Sequence, residues 1–552
     1  MDKGSRRALK WLIKSAKPEL WQIFLLAFLG VSISYISVRF ALVSRDLLDS
    51  ATGGTGKSFA DCVRSIVLLL AADISVQSIY NILSVRLEVL YRNRLRRGAF
   101  ADVMVSDLSA LNEYHSGELI NRLTKDIRVL SANIIDLIPS VVILVSGVAM
   151  SFWALFKLDS TLAVLCIALG PVILVSSFFY GRRVKFLHKD CLKSDGKILS
   201  FMQEVIQNLL IIKAFRKEKQ FDSGISDLQS DNYRLNMKVG YASLIVNVLY
   251  FVALTVAYYF AVAWCAYRIH LGIMTVGSFA AIIQLVGSVQ TPFKEISGSL
   301  TKFFATCASA ERIMDMEKLP RDKEDTLHME DVTGIEFKGV DFSYESEKVF
   351  ENASFRINKG DIVAVTGGSG IGKSTLFKLL LGIYTPQKGS AYIYNKGEKV
   401  SAGANTRSAF CYVPQGNMII SGTIGQNITF FDSSPDMARA RDAAERACIL
   451  DYIDTLPEGM DTAIGENGLG LSEGQAQRLA IARAIYADMP VILLDEATSA
   501  LDDKTESRIL DNIKGMQDKT CMIITHRPAA LDIASKRLHI EDRQIKVDEK
   551  IV

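Results

Sequence analysis

Six long apolar segments confined to residues 1–310 limit what this chain can fold into more than any other feature. They run approximately over 20–38, 65–85, 137–156, 160–181, 239–267 and 271–293. A helix needs roughly 20 mostly apolar residues to cross a bilayer. Five of the segments carry no formal charge, and the second carries only Asp73. One such run fits a buried helix of a soluble bundle, whereas six in succession predict a membrane domain of six transmembrane helices.

The placement of basic residues predicts the orientation. Lys3, Arg6, Arg7, Lys10, Lys14 and Lys17 precede the first segment. Arg86, Arg92, Arg94, Arg96, Arg97, Arg122, Lys125 and Arg128 lie between the second and third, and 182–238 between the fourth and fifth is richer still. Basic residues mark the cytoplasmic side, so the N-terminus, both long connections and the C-terminal half are expected in the cytoplasm. The start of the chain lacks a small-residue cleavage pattern and reads as no cleavable signal and no extra leading domain. Residues 9–17 read instead as a helix along the interface. Hydrophobic residues at 49% are too many for an ordinary soluble protein, and 22% charged residues are too many for a wholly embedded one. The net charge of +3 gives no sign of nucleic-acid binding. The eight cysteines are scattered without metal-ligand spacing and read as reduced structural thiols.

The two cytoplasmic connections, 86–136 and 182–238, have helical patterning, and at about 1.5 Å per residue they extend some 30 Å below the bilayer. Breaks around 112–117 and 208–215 are expected to hold short transverse helices. A charged stretch then follows, with Pro320 and no apolar periodicity. These features predict a membrane domain over 1–316, a linker over 317–333 and a separate second domain over 334–552.

The second half opens with alternating Ile335, Phe337, Val340, Phe342 and Tyr344, a strand pattern. A short buried strand, IVAVT at 362–366, feeds GGSGIGKST at 367–375, which satisfies G-x-x-x-x-G-K-[ST] in full. Gly367, Gly368, Gly370 and Gly372, with Ser369 and Ile371 between them, let backbone N–H groups reach phosphate oxygens at a helix N-terminus. Lys373 supplies a point charge for the β- and γ-phosphates, Ser374 a hydroxyl ligand for Mg2+, and Thr375 completes the loop. The loop implies a nucleoside triphosphate with Mg2+ and makes 334–552 a nucleotide-binding domain; several ATPase and GTPase classes share it, and the block downstream is what selects ATP.

About a hundred residues downstream stands LSEGQAQRLAIARAIYADMPVILLDEATSALD, 471–502. This block closely resembles the signature, Walker B and D-loop of ATP-binding cassette (ABC) proteins. HSGELINRLTKDI (115–127) and QEVIQNLLIIKAF (203–215) resemble the coupling regions of ABC exporters, LGIMTVGSF (271–279) the entry to their sixth helix and ASAERIMDM (308–316) its exit. The resemblance covers nearly the whole chain. It implies that Tyr344 stacks on adenine, that Asp495 holds Mg2+ through water and that Glu496 is the general base. It makes His526 the switch histidine at the γ-phosphate, and gives Gln415, in YVPQG, a part in both Mg2+ sensing and catalysis. Ser472, Glu473, Gly474 and Gln475 would cap the nucleotide held by a partner subunit, with Asp502 communicating between the two sites. Glu473 departs from the family, replacing its usual first glycine. Backbone donors survive the change, but a carboxylate near a triphosphate is unfavourable unless it points outward.

One six-helix domain with one ATPase domain is half a transporter, so a dimer is expected. This chain keeps the glutamate, the histidine and a nearly intact signature, which favours a homodimer, while Glu473 leaves room for a heterodimer with a related half-transporter. The expected function is ATP-driven export of a peptide, lipid or other amphipathic small molecule by alternating access, from a multi-pass site in the inner (plasma) membrane. Siderophore-type uptake through the same architecture is the alternative. A non-transport ATPase of this family is excluded by the six spans. Asp73 should face a cavity or a polar partner, with Arg39 either pairing with it or reaching the interface. Asn247, Tyr250, Phe251, Tyr258, Tyr259, Phe260 and Trp264 in the fifth segment, with Gln284 and Gln290 in the sixth, suit an amphipathic cargo and equally suit helix packing.

Overall fold

A computed structural model of the chain describes residues 3–53, 57–112, 114, 116–165, 190–191, 193–322, 327–344, 347–416, 419–465, 470–516 and 518–549. It forms two compact units, one of Met1–Met104 with His115–Lys318, the other of Val105–Tyr114 with Leu319–Val552.

The first unit is helical. An amphipathic helix α1 (Lys3–Ser15) precedes α2 (Leu20–Ala51), α3 (Phe59–Val105) and α5 (Ser116–Asn121), while the short α4 (Leu108–Leu111) between α3 and α5 belongs to the second unit. Then come α6 (Ile127–Leu158), α7 (Leu209–Ala214), α8 (Glu218–His270) and α9 (Val276–Glu317). Among the described residues four helices are long and apolar enough to span a membrane, Lys17–Ala51, Phe59–Val105, Gly117–Leu158 and Phe251–His270. Most of the fourth expected span, 160–181, lies outside the described residues. The sixth starts later than hydropathy suggests, at Val276, because 271–274 form a turn and the Thr275 hydroxyl caps the helix by accepting from Ser278 N–H at 3.1 Å.

Helix α3 runs on as far as Val105 and α8 starts at Glu218, so each extends one apolar span into a basic connection. The break at 208–215 holds α7, flanked by Arg216 in the left-handed region (φ 52°). In the first connection residues 112 and 114 lie outside helices, where the break is expected, and the short helix stands just upstream of them. That helix is α4, capped by Asp107 accepting from Ser109 N–H at 2.7 Å, while Arg122–Asp126 form a single π turn after α5.

Helices α2, α6 and α9 hold this unit together. A Cβ at Gly30 would stand 2.2 Å from Ile143 Cγ1, so the two backbones approach as only a glycine permits. Buried carboxylates tie helix ends. Asp49 accepts from Gly277 N–H at 2.9 Å and the Thr275 hydroxyl at 3.0 Å. Asp159 takes Arg268 at 3.1 Å and the Trp264 indole N–H at 3.2 Å. Asp126 takes the Arg312 Nε–H at 2.7 Å and the Ser309 hydroxyl at 2.9 Å. Asp73 and Arg39 do not pair. Asp73 accepts from Gln77, one turn along α3, at 3.0 Å. The aromatic run of α8 divides, with Phe251, Tyr259 and Phe260 exposed and Trp264 half-buried. The side chains of Asn247 and Tyr250 lie outside the described residues.

The second unit is α/β. An antiparallel sheet in the order β2 (Glu347–Asn358), β1 (Val332–Tyr344), β4 (Lys388–Asn395), β5 (Glu398–Ser401) lies beside a six-stranded sheet. The latter runs β12 (Gln544–Glu549), β11 (Lys536–Glu541), β3 (Ile362–Gly367), β10 (Thr520–Ile524), β9 (Val491–Asp495), β6 (Phe410–Val413), with all pairs parallel except β11–β12, and β7 (Gly422–Thr423) pairs separately with β8 (Ala463–Ile464). Every residue of β3, β9 and β10 is buried, as continuous apolar strands of a two-side-covered parallel sheet must be. Helix α10 (Lys373–Leu380) follows β3. On the other face α11 (Ile424–Thr429), α12 (Met437–Arg446) and α13 (Glu473–Ala487) join one apolar core with Ile492, Leu494, Cys521 and Ile523. The cysteines described, 62, 191, 265, 307, 411, 448 and 521, are free and buried, as the sequence suggested.

Candidate functional site

Parallel strands place their C-terminal ends at one edge of a sheet, where α/β folds bind ligands. Here β3 delivers the phosphate loop, β9 delivers Asp495 and Glu496, β10 delivers His526, and β6 delivers Gln415. The loop's backbone demands its glycines. Gly372, the N-cap of α10, has φ 110°, and a Cβ there would fall 2.3 Å from Val349 Cγ1. Gly370 has φ 77°.

The buried Lys373 ammonium donates to the carbonyls of Gly367 at 2.9 Å and Gly368 at 3.0 Å, and lies 3.0 Å from His526 Nε2. The Ser374 hydroxyl donates to Asp495 Oδ1 at 3.1 Å, and the Tyr412 hydroxyl to Asp495 Oδ2 at 3.2 Å. Burial pushes the Asp495 carboxyl above its ordinary range despite these two donors, and burial likewise pushes the Tyr412 phenol up. Glu496 sits in the left-handed region (φ 51°) with its N–H on Ile524 O at 3.1 Å, and its Oε2 accepts from the Gln415 side-chain amide at 2.8 Å. A glutamate in that conformation costs backbone energy, a cost that recurs at functional sites. The Tyr344 hydroxyl lies 3.2 Å from Thr375 Oγ1, and burial raises its pKa.

The signature segment opens α13. Ser472 is its N-cap and forms a capping box, with Gln475 N–H on Ser472 Oγ at 3.3 Å and Ser472 N–H on Gln475 Oε1 at 2.8 Å. Glu473 occupies the first helical turn and points to solvent, where the positive helix end stabilises a carboxylate. Gly474 packs on the chain after Walker B, since a Cβ there would meet Ala500 O at 3.0 Å. Asp502 is the N-cap of α14 (Asp503–Lys514), and its bond from Thr505 N–H, at 3.0 Å, lowers its pKa.

The structure brings Lys373, Ser374, Asp495, Glu496, Gln415 and His526 together. Among the described residues no hydrogen bond or ion pair joins 472–475 to the 367–375 loop. Sequence reasoning missed four residues that brace these loops. Tyr412 holds Asp495, and Gln477 links the signature helix to Ser499 Oγ and Ala500 N–H, both at 3.0 Å. The buried Glu506 accepts from Thr498 at 2.7 Å and from Arg527, beside His526, at 2.9 Å. Only Tyr412 had a signal, lying in the same YVPQG stretch as Gln415.

Fold and site define a phosphate-loop ATPase fused to a domain of membrane-spanning helices. Comparison with known proteins narrows the class. The family model described as ABC transporter transmembrane region matches residues 21–293, and that described as ABC transporter matches 350–499. The chain is 30% identical to a putative export ATP-binding/permease protein of Rickettsia felis, covering 97% of this chain and 94% of the relative. It is 30% identical to an ATP-dependent lipid A-core flippase of Photobacterium profundum, over 82% of this chain and 78% of that one. Its fold matches a bacterial Atm1-family ABC exporter with ATP bound, at TM-score 0.81 and 22% identity over 97% of this chain and 95% of that one. The chain therefore belongs to the ABC transporters, as an exporter whose ATPase domain binds ATP and couples its hydrolysis to transport. The uptake alternative is not favoured by these relatives.

Proposed function

We propose that the chain works as a homodimer in the inner membrane, with its ATPase domain in the cytoplasm, exporting an amphipathic molecule such as a lipid or peptide. The observation that carries this reading is the convergence of three pairs at one sheet edge: Lys373 with His526, Ser374 with Asp495, and Gln415 with Glu496. Each pair joins a group suited to phosphate or metal binding to a group suited to proton handling or metal holding.

The residues fit Mg2+. Ser374, Asp495 and Gln415 offer a hydroxyl, a carboxylate and an amide oxygen, the hard donors this ion takes, and the first two already lie 3.1 Å apart. When bound, the ion neutralises charge on the phosphate oxygens. Lys373 holds the β- and γ-phosphates, Glu496 accepts the proton of the attacking water, and Gln415 and His526 orient that water. Tyr344 stacks on adenine. Ser472, Gly474 and Gln475 of one subunit close over the nucleotide of the other. The retained Glu496, His526 and Ser472–Gln475 stretch, with its capping box intact, support two complete sites in a self-paired dimer. The lipid-flippase relatives and the exposed aromatic groups of α8 support an amphipathic cargo.

Purified alone in lipid nanodiscs, the chain should be dimeric and hydrolyse ATP with Mg2+ but not with excess EDTA. A panel of peptides, lipids and siderophores should show stimulation by a lipid or peptide. A monomer that gains activity only with a co-expressed half-transporter would replace the homodimer by a heterodimer.

A further inference from the structure

Residues 105–114 fold with the ATPase domain although they precede it by far in sequence. They are zipped to the stretch that follows α9. Asp107 N–H donates to Pro320 O at 2.8 Å, Asp322 N–H donates to Val105 O at 2.9 Å, and Ser106 and Arg321 form an antiparallel bridge. The zipped pair is gripped by Arg407. Its guanidinium meets the Asp322 carboxylate on one side. On the other its Nε–H donates to Leu381 O at 2.9 Å and an Nη–H to Gly382 O at 3.3 Å.

Leu381 and Gly382 are the turn that ends α10, the helix of the phosphate loop. Gly382 is left-handed (φ 60°), with Gly403 Cα 2.4 Å from where its Cβ would be, so only glycine fits this turn. That turn aims Tyr384, whose ring meets the Tyr344 ring edge-on at 5.2 Å and 89°. Three residues on, the Gln387 side chain clasps the backbone of Ser343 through bonds of 2.9 Å to both its N–H and its carbonyl. Tyr344, the next residue, therefore stands on a shelf built from the end of α10. The Asn112 amide, 3.4 Å from the Tyr384 hydroxyl, approaches the same ring from the zipped segment.

We propose that Arg407 is a positioning residue for nucleotide. It fixes the 381–384 turn, and with it Tyr384 and the Tyr344 face, to the place where 105–107 and 320–322 are zipped. The grip on the base then follows the segment that enters from the membrane domain, by a route separate from Gln415. A planar fork suits this position because its separate N–H groups reach a carboxylate on one side and two carbonyls on the other in fixed directions, where a lysine offers a single point charge. The inference rests on Tyr344 as the adenine-stacking residue.

The test is steady-state ATPase of the full-length protein in nanodiscs, with Tyr344→Ala as reference. Arg407→Lys and Asp322→Asn should each raise the KM for ATP about three- to tenfold, the range that an aromatic edge contact is worth. Saturated kcat should stay within about twofold, since no reacting group is touched. Tyr384→Leu should match them and Tyr384→Phe, which keeps the ring, should restore the wild-type KM. In a Tyr344→Ala background Arg407→Lys should add nothing. If Tyr344→Ala raises KM while Arg407→Lys and Asp322→Asn leave it unchanged, or if the effects add in full, the positioning role is wrong. If Tyr344→Ala itself leaves KM unchanged, the stacking role of Tyr344 fails and the route from Arg407 fails with it.

Discussion

The ATPase half and the membrane half use apolar and charged residues in opposite ways. In the ATPase half the apolar side chains go inward, every residue of β3, β9 and β10 being buried, and the buried charges Lys373 and Asp495 stand at the site of chemistry. In the membrane half large apolar side chains go outward, with Leu68 70% and Ile82 71% exposed on α3. Its buried carboxylates, Asp49, Asp126 and Asp159, knot helices together. Water drives the first arrangement. In lipid the hydrophobic effect gives no force between helices, so close backbone contact at Gly30 and polar bonds at helix ends take its place. Buried charge is therefore mostly chemical in one half, with Glu506 and its Arg527 partner as the brace that departs from this, and architectural in the other. Substitutions should separate activity from stability accordingly.

The largest effect should come from the chemical side. Glu496→Gln keeps the volume and the bond to Gln415 but removes the base, so turnover should fall at least ~10²-fold with ATP affinity intact. The variant should also trap a closed dimer, visible by size or by cross-linking of the ATPase domains. Near-normal turnover would move the base elsewhere and weaken the contrast between the halves. Lys373→Ala comes next. It removes the charge aimed at the phosphates, so nucleotide affinity should drop about tenfold or more, whereas Tyr344→Ala should lower it by only a few-fold and spare saturated turnover. Equal damage from both would make Tyr344 a core residue.

What the sequence discloses also differs between the halves, for a physical reason. The phosphate loop, Asp495–Glu496 and the signature are read directly because each does its work through adjacent residues whose types are dictated by backbone approach or charge. Tyr412, Gln477, Glu506 and Arg407 act across the fold, through partners 83, 22, 21 and 85 positions away, and apart from Tyr412, which shares the YVPQG stretch with Gln415, no local pattern marks them. In the membrane half hydropathy located the helices but not their ends. LGIM at 271–274 is apolar yet forms a turn, because the Thr275 cap and its bond to Asp49 set where α9 begins. Patterning puts the short helix of the first connection around 112–117, whereas the capping of α4 by Asp107 sets it at 108–111. Caps decide such boundaries, and an apolar count cannot see them.

Asp159→Ala tests the architectural side. Asp159 is 4% exposed, holds Arg268 and Trp264, and accepts the Thr161 and Leu162 N–H groups at 3.0 and 3.1 Å. Removing it leaves a guanidinium unpaired, so stability should fall by about 3–5 kcal/mol, read as a lower melting temperature of the reconstituted protein. The KM for ATP of the surviving fraction should not change. A change in KM with unchanged melting would give this carboxylate a part in transport.

Asp73→Asn should have the smallest effect, and it tests whether the membrane half holds any carboxylate with a chemical use. Asp73 is half-buried within a span and touches Gln77 on its own helix. An asparagine carbonyl accepts from Gln77 as well as a carboxylate does, and such an i,i+4 pair contributes only about 0.2–0.5 kcal/mol. The substitution also relieves the cost of a charge in the bilayer, roughly 2.5–3.5 kcal/mol on insertion scales. Melting temperature and basal ATPase should therefore stay within error of the wild type or rise slightly. Stimulation by lipids and peptides should be unchanged for every compound alike. Loss of stimulation by cationic compounds alone would place Asp73 on the cargo path, and the division between chemical and architectural charge would then run through the membrane half itself.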